Sequence, residues 1–328
     1  MVRGGWLGRL GGVGLLSVLA VVGLLAVPSA RAAGGGSPPV WSGDFPDPYV
    51  LRVGPLYFAY GTDADLALVP TMVSADLTHW QWVGDALGGL PRWAAPGSAW
   101  GPSVMAAPGD YVLFYAALDA ATGQHCISRA VSRVPQGPFT DDSAGPLICQ
   151  SSRGGSIDPS PFADSGGATY LVWKSEGIRN LEPTRIWSAP LAPDGSRLIG
   201  SPSQLITTDQ GWEGPIVEGP DLARVGGRYY LLYSANRWDS AAYAIGYAVC
   251  SGPLGPCVKP STAPLWSSQG TEVGPGGPCV FSDAAGQTYV AYHAWTAPDI
   301  GYDHGGKRSL HIANLSAQPG TGLAMKEG

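Results

Sequence analysis

Short apolar runs separated by glycine- and proline-rich turns repeat along the chain, and five of these units share one pattern. Each unit has a short apolar run, then a turn such as Gly54-Pro55 or Gly226-Gly227, then an aromatic-rich run. Because turn residues lie between β-prone segments, the pattern predicts a β-hairpin in every unit. The units begin, in chain order and to within one residue, at Asp47, Gly101, Asp158, Glu218 and Gly277.

One tyrosine in each aromatic run marks the period of the repeat. The matching residues are Tyr57, Tyr111, Tyr170, Tyr229 and Tyr289, so the steps are 54, 59, 59 and 60 residues. Repeats of this size in a β-rich chain are typical of propeller blades, and one blade alone would not be stable. We therefore predict an all-β, five-bladed β-propeller that forms a single domain with four strands per blade. Further strand candidates after the hairpins are residues 70–74, 127–132, 185–190, 243–249 and 309–314.

The first 32 residues have the pattern of a secretory signal peptide. Arg3 and Arg9 accompany an apolar run over residues 11–27, and Ala30-Arg31-Ala32 offers a small-x-small cleavage site. We predict cleavage after Ala32, a flexible linker over residues 33–40, and the propeller over residues 41–328. The alternative is a membrane anchor, which the short, glycine-rich run disfavours. The mature protein is expected to be secreted and extracellular, with no membrane attachment.

Acidic residues outnumber basic residues in this chain. There are 19 Lys and Arg against 25 Asp and Glu, and the predicted signal peptide contains three arginines and no acid. The mature formal charge is therefore 16 − 25 = −9. Nucleic acids and anionic membranes select basic surfaces, so this balance argues against both as partners. We expect a neutral ligand and a monomeric protein.

Five cysteines in a chain with an export signal favour disulfide formation. Cys250 and Cys257 flank a six-residue turn, and Cys126 and Cys149 both lie in the second unit. We predict that each pair forms a disulfide and that Cys279, in an apolar inner strand, is a buried free thiol. No cysteine spacing in the sequence is that of a zinc site.

Three units open with a carboxylate: Asp47, Asp158 and Glu218. The first strand of each propeller blade lines the central axis, so these acids are expected to converge at one mouth. Such a cluster serves structural salt bridges, a metal ion such as calcium, or acid/base catalysis. Few cationic residues flank these positions, which disfavours salt bridges. Glycoside cleavage needs one acid to protonate the leaving oxygen and one carboxylate to activate water or attack carbon.

Four motifs resemble glycoside hydrolase family 43 and occur in that family's order over nearly the whole mature chain. They read Gly43-Asp-Phe-Pro-Asp47-Pro, Ser156-Ile-Asp158-Pro-Ser-Pro-Phe, Trp212-Glu-Gly-Pro-Ile-Val-Glu218-Gly-Pro-Asp-Leu and Tyr292-His293-Ala-Trp295. The resemblance implies a five-bladed propeller and an inverting hydrolase that requires no cofactor for its chemistry. It implies Asp47 as the general base, Glu218 as the general acid, and Asp158 as the residue that orients Glu218 and keeps it protonated.

Glu218 has a local rival, because Glu213 also begins a Glu-Gly-Pro triplet. The repeat register favours Glu218. Pro220 lies nine residues before Tyr229, as Pro48 lies nine residues before Tyr57.

Candidate substrate contacts follow from the predicted mouth and from the resemblance. Trp100 precedes the second inner strand, where its ring could stack on a sugar. Asn236 and Arg237 leave the fourth aromatic run, and Arg308 precedes the last recognisable strand, where members of the family often have a basic residue near the sugar. Further aromatic candidates at the mouth are Trp212, Trp238 and Trp295.

The remaining motif residues have competing interpretations. His293 is either a satisfied core histidine or, by the resemblance, part of a site for a structural ion such as calcium. We interpret Trp80, Trp82 and Trp266 as packing residues.

The export signal predicts a secreted protein, and the resemblance implies an inverting glycoside hydrolase that acts on plant cell-wall arabinan or arabinoxylan, as an α-L-arabinofuranosidase or an arabinanase. The expected partner is a polysaccharide or oligosaccharide substrate. The alternatives are a β-xylosidase of the same family and a non-catalytic carbohydrate-binding propeller. A lectin would be expected to repeat its binding residues in every blade, whereas the acids occupy three blades. Arabinose versus xylose, and exo versus endo action, stay open.

Overall fold

The repeated apolar and aromatic runs form antiparallel β-sheets in a computed structural model that describes residues 38–64 and 67–327. The described residues form nineteen strands in five sheets. The first strands of the five sheets contact one another in chain order, and the last contacts the first, so the inner strands close into a ring. This confirms the predicted all-β, five-bladed propeller.

The blades follow one another along the chain, each beginning with its inner strand. Blade one comprises β1 (Tyr49–Val53), β2 (Leu56–Tyr60), β3 (Pro70–Ser74) and β4 (Gln81–Asp85). Blade two comprises β5 (Ala94–Ala107), β6 (Asp110–Asp119) and β7 (His125–Ser132). Blade three comprises β8 (Ser156–Ala163), β9 (Thr169–Ser175), β10 (Arg185–Leu191) and β11 (Ser203–Thr207). Blade four comprises β12 (Val217–Val225), β13 (Arg228–Ala235), β14 (Ala244–Cys250) and β15 (Cys257–Val258). Blade five comprises β16 (Glu272–Ser282), β17 (Thr288–Thr296), β18 (Ser309–Ala317) and β19 (Leu323–Glu327).

The third strand of each blade lies close to the strand candidate that the sequence predicted after the hairpin. The predicted segment 70–74 coincides with β3, and the other four differ from β7, β10, β14 and β18 by three residues or fewer at either end. In the part of the chain that the structure describes, three short 3-10 helices lie in connecting loops, at Ser151–Arg153, Gly211–Glu213 and Tyr302–His304.

Blade two has a three-stranded sheet instead of the four strands predicted. The segment after β7 makes isolated bridges to it, between Val131 and Thr140 and between Ile127 and Ile148. Three prolines lie in residues 133–147, and proline has no amide hydrogen to donate to a ladder. This composition explains why the segment bridges the sheet without becoming its fourth strand.

Apolar side chains pack between neighbouring blades. Tyr60 of blade one is buried with Val104 and Leu113 of blade two, and Val50 of blade one is buried with Phe281 of blade five. Each blade therefore depends on its neighbours for a core. Trp80 and Trp266 belong to such clusters, as predicted, but Trp82 lies on the edge strand β4 and is 46% exposed, so its assignment to packing was wrong.

At equivalent positions in the five repeats, a residue in the left-handed region is followed by proline. These residues are Asp47, Gly101, Asp158, Gly219 and Gly277, with φ of 48°, 52°, 53°, 52° and 63°. Glycine and short polar residues tolerate this conformation, whereas Glu does not favour it. Two of the predicted acids therefore occupy equivalent positions, and Glu218 precedes the equivalent glycine by one residue.

The segment before blade one is fixed to blade five. The Val40 amide donates to the Leu310 carbonyl oxygen at 2.9 Å, and Trp41 forms an antiparallel bridge with Leu310. Val40, which the sequence analysis assigned to the flexible linker, is thus held by the propeller. The predicted signal peptide and the first part of the linker lie outside the described residues. Within the described part of the chain, no helix is long and apolar enough to cross a membrane.

Both predicted disulfides are confirmed. Cys126 is bonded to Cys149 and Cys250 to Cys257, whereas Cys279 is a buried free thiol. The first bond joins β7 to the loop that leads into β8, and the second joins β14 to β15.

Asp221 of β12 is a buried acid on the propeller axis. Its two oxygens accept hydrogen bonds from the Ser160 hydroxyl (2.6 Å) and the Val280 amide (2.7 Å). Burial raises the pKa of Asp221 from the ordinary value of 3.8 to about 7, although these bonds oppose the shift. Between those two pH values the folded protein retains a proton that the unfolded chain loses. The stability that Asp221 contributes in acid is therefore lost as the pH rises from about 4 to 7.

Asp221→Asn is expected to remove this dependence, because asparagine does not ionise and can present its oxygen to Val280. The free energy of unfolding of the wild type should fall relative to the variant as the pH rises, by at most about 1.4 kcal/mol per pH unit. Urea denaturation of both proteins between pH 4.5 and 7.5 measures the difference. A difference that does not change with pH would contradict the assignment.

Candidate active site

A cavity of about 660 Å³ lies at the mouth of the propeller where the inner strands begin. Asp47, Asp158 and Glu218 all line it, so the predicted convergence of the three acids is confirmed. The volume lies in the range of pockets that hold small molecules. A second, narrow cavity of about 40 Å³ is surrounded by matching segments of the five repeats, residues 47–49, 101–102, 158–160, 219–221 and 277–279.

The Asp47 carboxylate is fixed from two sides. Thr62 Oγ1 donates to Asp47 Oδ2 at 2.7 Å, and Arg308 Nη1 lies 3.6 Å from the same oxygen. Burial raises the pKa of Asp47. The Arg308 charge and the hydrogen bond from the Thr62 hydroxyl act in the opposite direction and outweigh burial, so the pKa lies below its ordinary value. Asp47 is therefore ionised at neutral pH and can accept a proton from water.

Both oxygens of Glu218 are engaged. The Tyr243 hydroxyl donates to Oε1 at 2.9 Å, and Lys174 Nζ donates to Oε2 at 2.9 Å. Lys174 Nζ also lies 2.7 Å from Glu176 Oε2. Burial and the charge of Glu218 raise the pKa of Tyr243 well above its ordinary value, so its hydroxyl remains a donor. These contacts fix the direction in which Glu218 faces the cavity.

Asp158 is a buried acid that carries a proton at neutral pH. The Gly219 amide donates to Asp158 Oδ2 at 2.8 Å, which places the Asp158 carboxyl beside the backbone of Glu218. Burial, followed by the charge of Glu218, raises the pKa of Asp158 to about 8. The Asp158 carboxyl is therefore protonated at neutral pH in the free protein.

An aromatic wall surrounds Arg308, which lines the cavity as predicted. The Arg308 guanidinium lies 4.7 Å from the ring centre of Trp238, and its Nε and Nη2 donate to the Tyr302 hydroxyl at 3.1 and 3.0 Å. Trp238 and Tyr302 also line the cavity, and they are 38% and 45% exposed. Exposed aromatic faces beside a cavity are suited to stacking on sugar rings.

Trp100 lies in the cavity wall, as the sequence analysis predicted. Its ring stacks on His125 with the ring centres 3.7 Å apart and the planes inclined by 24°. One face of the indole is thus covered by His125. Stacking of Trp100 on a sugar stays a prediction.

Three other predicted contacts do not line the cavity. Asn236 Nδ2 donates to the Trp212 carbonyl oxygen, and the Arg237 guanidinium pairs with Asp239 at 2.7 Å. Trp295 is fully buried, and its Nε1 donates to the Trp238 carbonyl oxygen at 2.9 Å. Trp295 supports the aromatic wall from behind, whereas the side chains of Asn236 and Arg237 are engaged within the chain. Trp212, a weaker candidate, stacks against Tyr233 outside the cavity.

His293 is buried beneath Asp47. Its Nδ1 accepts a hydrogen bond from the Asp47 amide at 2.9 Å, and its ring lies parallel to that of Tyr243. Burial lowers the pKa of His293 to about 3, so the imidazole is neutral and can accept this bond. Within residues 38–64 and 67–327, no group of three or more His, Cys, Asp or Glu side chains could hold a metal ion. The structural ion predicted near His293 therefore has no support.

Glu213, the rival of Glu218, has a structural role away from the cavity. It is fully buried, and Oε1 lies 2.6 Å from Lys259 Nζ and accepts from the Tyr233 hydroxyl at 2.7 Å. Oε2 accepts the amides of Asp209 and Gln210 and so caps the 3-10 helix at Gly211–Glu213. The repeat register selected the glutamate that lines the cavity.

Several residues of the cavity wall were missed from the sequence, above all Lys174, Glu176 and Tyr243. A signal was present for Lys174, because it lies in an otherwise apolar β9 at the same distance after Tyr170 as His293 after Tyr289. Both positions are buried next to an acid of the mouth. Tyr243 immediately precedes β14 and Glu176 immediately follows β9, and the repeat contains no signal that marks these two side chains as facing the cavity.

One cavity at the mouth of the propeller contains the ionised Asp47, the protonated Asp158 and a third acid, Glu218. These are the components of a two-carboxylate glycosidase. Comparison with known proteins agrees. The family model for glycosyl hydrolases family 43 matches residues 37–318. The chain therefore belongs to glycosyl hydrolases family 43 and is a glycoside hydrolase, and its catalysis requires no cofactor.

Curated relatives and solved structures resemble the chain over most of its length. A β-D-galactofuranosidase of Aspergillus niger is 25% identical over 86% of this chain and 82% of its own length. An arabinoxylan arabinofuranohydrolase of Bacillus subtilis is 29% identical over 77% of this chain, which spans about half (53%) of that protein. The crystal structure of a thermostable family-43 glycoside hydrolase is 31% identical, with a TM-score of 0.78, over 87% of this chain and 93% of that one.

Proposed function

We propose that the protein is an inverting furanosidase that removes or cleaves α-L-arabinofuranosyl units in plant cell-wall arabinan or arabinoxylan. Glu218 gives its proton to the departing glycosidic oxygen. Asp47 takes a proton from the water that attacks the anomeric carbon from the opposite face. The C–O bond to the leaving group breaks as the bond to water forms, and the free sugar appears with inverted anomeric configuration. Asp158, which is protonated in the free protein, orients Glu218 and supplies the proton that Glu218 delivers.

The observation that carries this proposal is the cavity shared by Asp47, Asp158 and Glu218, in which Asp47 is ionised and Asp158 is protonated. The ionised carboxylate can act as the base, and the protonated carboxyl beside Glu218 is a source of the proton that the acid must deliver.

The choice of a furanoside rests on the relatives. The Aspergillus niger and Bacillus subtilis relatives described above are named for a galactofuranoside and an arabinofuranoside. β-D-Galactofuranose and α-L-arabinofuranose have the same ring configuration and differ in one hydroxymethyl group. Other relatives are named as xylosidase/arabinosidase or putative β-xylosidase, so a β-xylosidase is the second candidate.

We also propose that the protein is exported, cleaved after Ala32 and monomeric. The Ala30-Arg31-Ala32 motif and two disulfides support export, and one relative, from Thermotoga petrophila, is named as an extracellular endo-α-(1→5)-L-arabinanase. The intact mass of protein recovered from the culture medium tests the cleavage site.

Purified protein is expected to hydrolyse p-nitrophenyl α-L-arabinofuranoside with a kcat/KM at least about tenfold above that for p-nitrophenyl β-D-xyloside, since the ring that the cavity must fit differs. Proton NMR of the first product should show β-arabinofuranose before it equilibrates. Debranched arabinan and arabinoxylan, assayed by released sugar, separate exo from endo action. Preference for the xyloside would select the second candidate. Initial release of α-arabinofuranose from the α-arabinofuranoside would refute inversion.

A further inference from the structure

Lys174 has no role in the mechanism above, yet it faces the proposed acid directly. Its side chain is 4% exposed, and its ammonium lies between Glu218 (2.9 Å) and Glu176 (2.7 Å). In β9 it pairs with Ile157, the residue before Asp158. A buried ammonium is costly unless carboxylates surround it. The burial of Lys174 is thus explained by the acids that it faces.

The charged and titratable groups around Glu218 come from several blades. Its surroundings contain one nearby ammonium and four groups that are negative or become negative on ionisation. Asp158 lies in β8 and Lys174 in β9. The other three lie in loops: Asp47 before β1, Glu176 after β9 and Tyr243 before β14. Behind Tyr243 and Asp47 lie the neutral His293 and the charged Arg308. Lys174 is the cation that contacts Glu218 itself.

Glu176 competes with Glu218 for that ammonium. It immediately follows β9, lines the cavity and is 27% exposed, whereas Glu218 is 12% exposed. Its distance to the ammonium is slightly the shorter of the two. The Lys174 charge therefore acts on two carboxylates. Glu218 must carry a proton in the proposed reaction, whereas Glu176 need not.

We propose that Lys174 and Glu176 act as a pair of positioning residues for Glu218, in which Lys174 fixes the carboxyl, Glu176 restrains the ammonium, and together they set the upper pH limit of activity. The inference rests on the proposed function, in which Glu218 delivers the proton. The ammonium favours loss of the proton that Glu218 must deliver, and the Glu176 carboxylate favours its retention, because an opposite charge stabilises a carboxylate and a like charge destabilises it. The two residues thus have opposite effects on the same proton.

Two variants test this with opposite expected signs. Lys174→Met keeps the side-chain length and removes the charge, so the basic limb of the kcat/KM profile should move up by about 1–2 pH units. Glu176→Gln should move the same limb down by about 0.5–1 pH unit, because the Lys174 charge then acts fully on Glu218. The control is Asp110→Asn, which removes an exposed carboxylate outside the cavity wall that pairs with Arg133. Its profile should match the wild type.

A second measurement needs no substrate. In protein labelled with ¹³C at the side-chain carboxyls of Asp and Glu, the signal that disappears in Glu218→Gln identifies Glu218. Its titration midpoint should move in the same two directions. If the protein hydrolyses no glycoside, the proposed function fails, but this titration still decides the role of the pair.

Unchanged midpoints and limbs in Glu176→Gln would overturn the proposal, and so would shifts of the same sign in both variants. Should Lys174→Met fail to fold, Glu176→Gln decides alone, since that residue is partly exposed and its amide can still accept from Lys174. A change in KM or stability without a moved limb would mark the pair as structural and would also overturn the proposal.

Discussion

Asp47→Asn is expected to lower kcat by about 10²–10⁴-fold, because an amide cannot take the proton of the attacking water. Asparagine has nearly the volume of aspartate and tolerates the left-handed backbone at this position, where φ is 48°. Its side-chain oxygen can still accept the Thr62 hydroxyl. The fold and the cavity should therefore persist, and KM should change far less than kcat.

Steady-state kinetics on the best substrate of the panel measure this loss, and circular dichroism with thermal unfolding checks the fold. Asp110→Asn is the matched control, since it makes the same chemical change at an exposed residue outside the cavity wall. Retention of more than about a tenth of the wild-type kcat by Asp47→Asn would remove Asp47 from the role of base.

Glu218→Gln is expected to show a loss that depends on the leaving group. A sugar or alkyl leaving group needs the proton of Glu218, so kcat/KM should fall by about 10²–10⁴-fold. A 2,4-dinitrophenolate departs without protonation, so its glycoside should lose about tenfold or less. Both oxygens of Glu218 accept hydrogen bonds, from Tyr243 and Lys174, and the glutamine oxygen can replace one of these contacts.

The matched control for this variant is Glu213→Gln, which alters the other Glu-Gly-Pro triplet. Glu213 contacts Lys259 and Tyr233 and does not line the cavity, so its variant should unfold more easily and retain kcat. Kinetics on a paired series of aryl and sugar glycosides separate the two effects. An equal loss on every leaving group would show that Glu218 does not act as the acid.

The repeat carried most of the fold prediction. Each blade spans one period, so five matching tyrosines were enough to place the hairpins and their inner strands, and β3 coincides with its predicted bounds. The same register brought Asp47, Asp158 and Glu218 to one mouth. Blade two has three strands instead of four because the prolines after β7 cannot donate the hydrogen bonds of a fourth strand. This is a local effect of composition, which the spacing of the repeat does not reveal.

The cavity wall was harder to predict where it depends on loops. Trp238 and Tyr302 come from loops of blades four and five and meet around Arg308, which depends on how those loops fold. Asn236 and Arg237 immediately precede Trp238, but Asn236 bonds to the Trp212 backbone and Arg237 to Asp239. Neighbouring residues in a loop can point in different directions, and composition alone does not reveal which one faces the substrate.

The left-handed residues at the mouth restrict which acids the ring can carry. A Cβ atom added at Gly101 would lie 2.8 Å from Asp158 Oδ1, and one at Gly277 would lie 2.9 Å from His293 Nδ1 and 3.0 Å from the Asp47 Cα. Asp158 thus occupies the space that a side chain at Gly101 would need, and His293 and the Asp47 backbone occupy the space at Gly277. New chemistry at this mouth would have to arise from longer residues one step outside the constrained positions, as the glutamate of blade four already does.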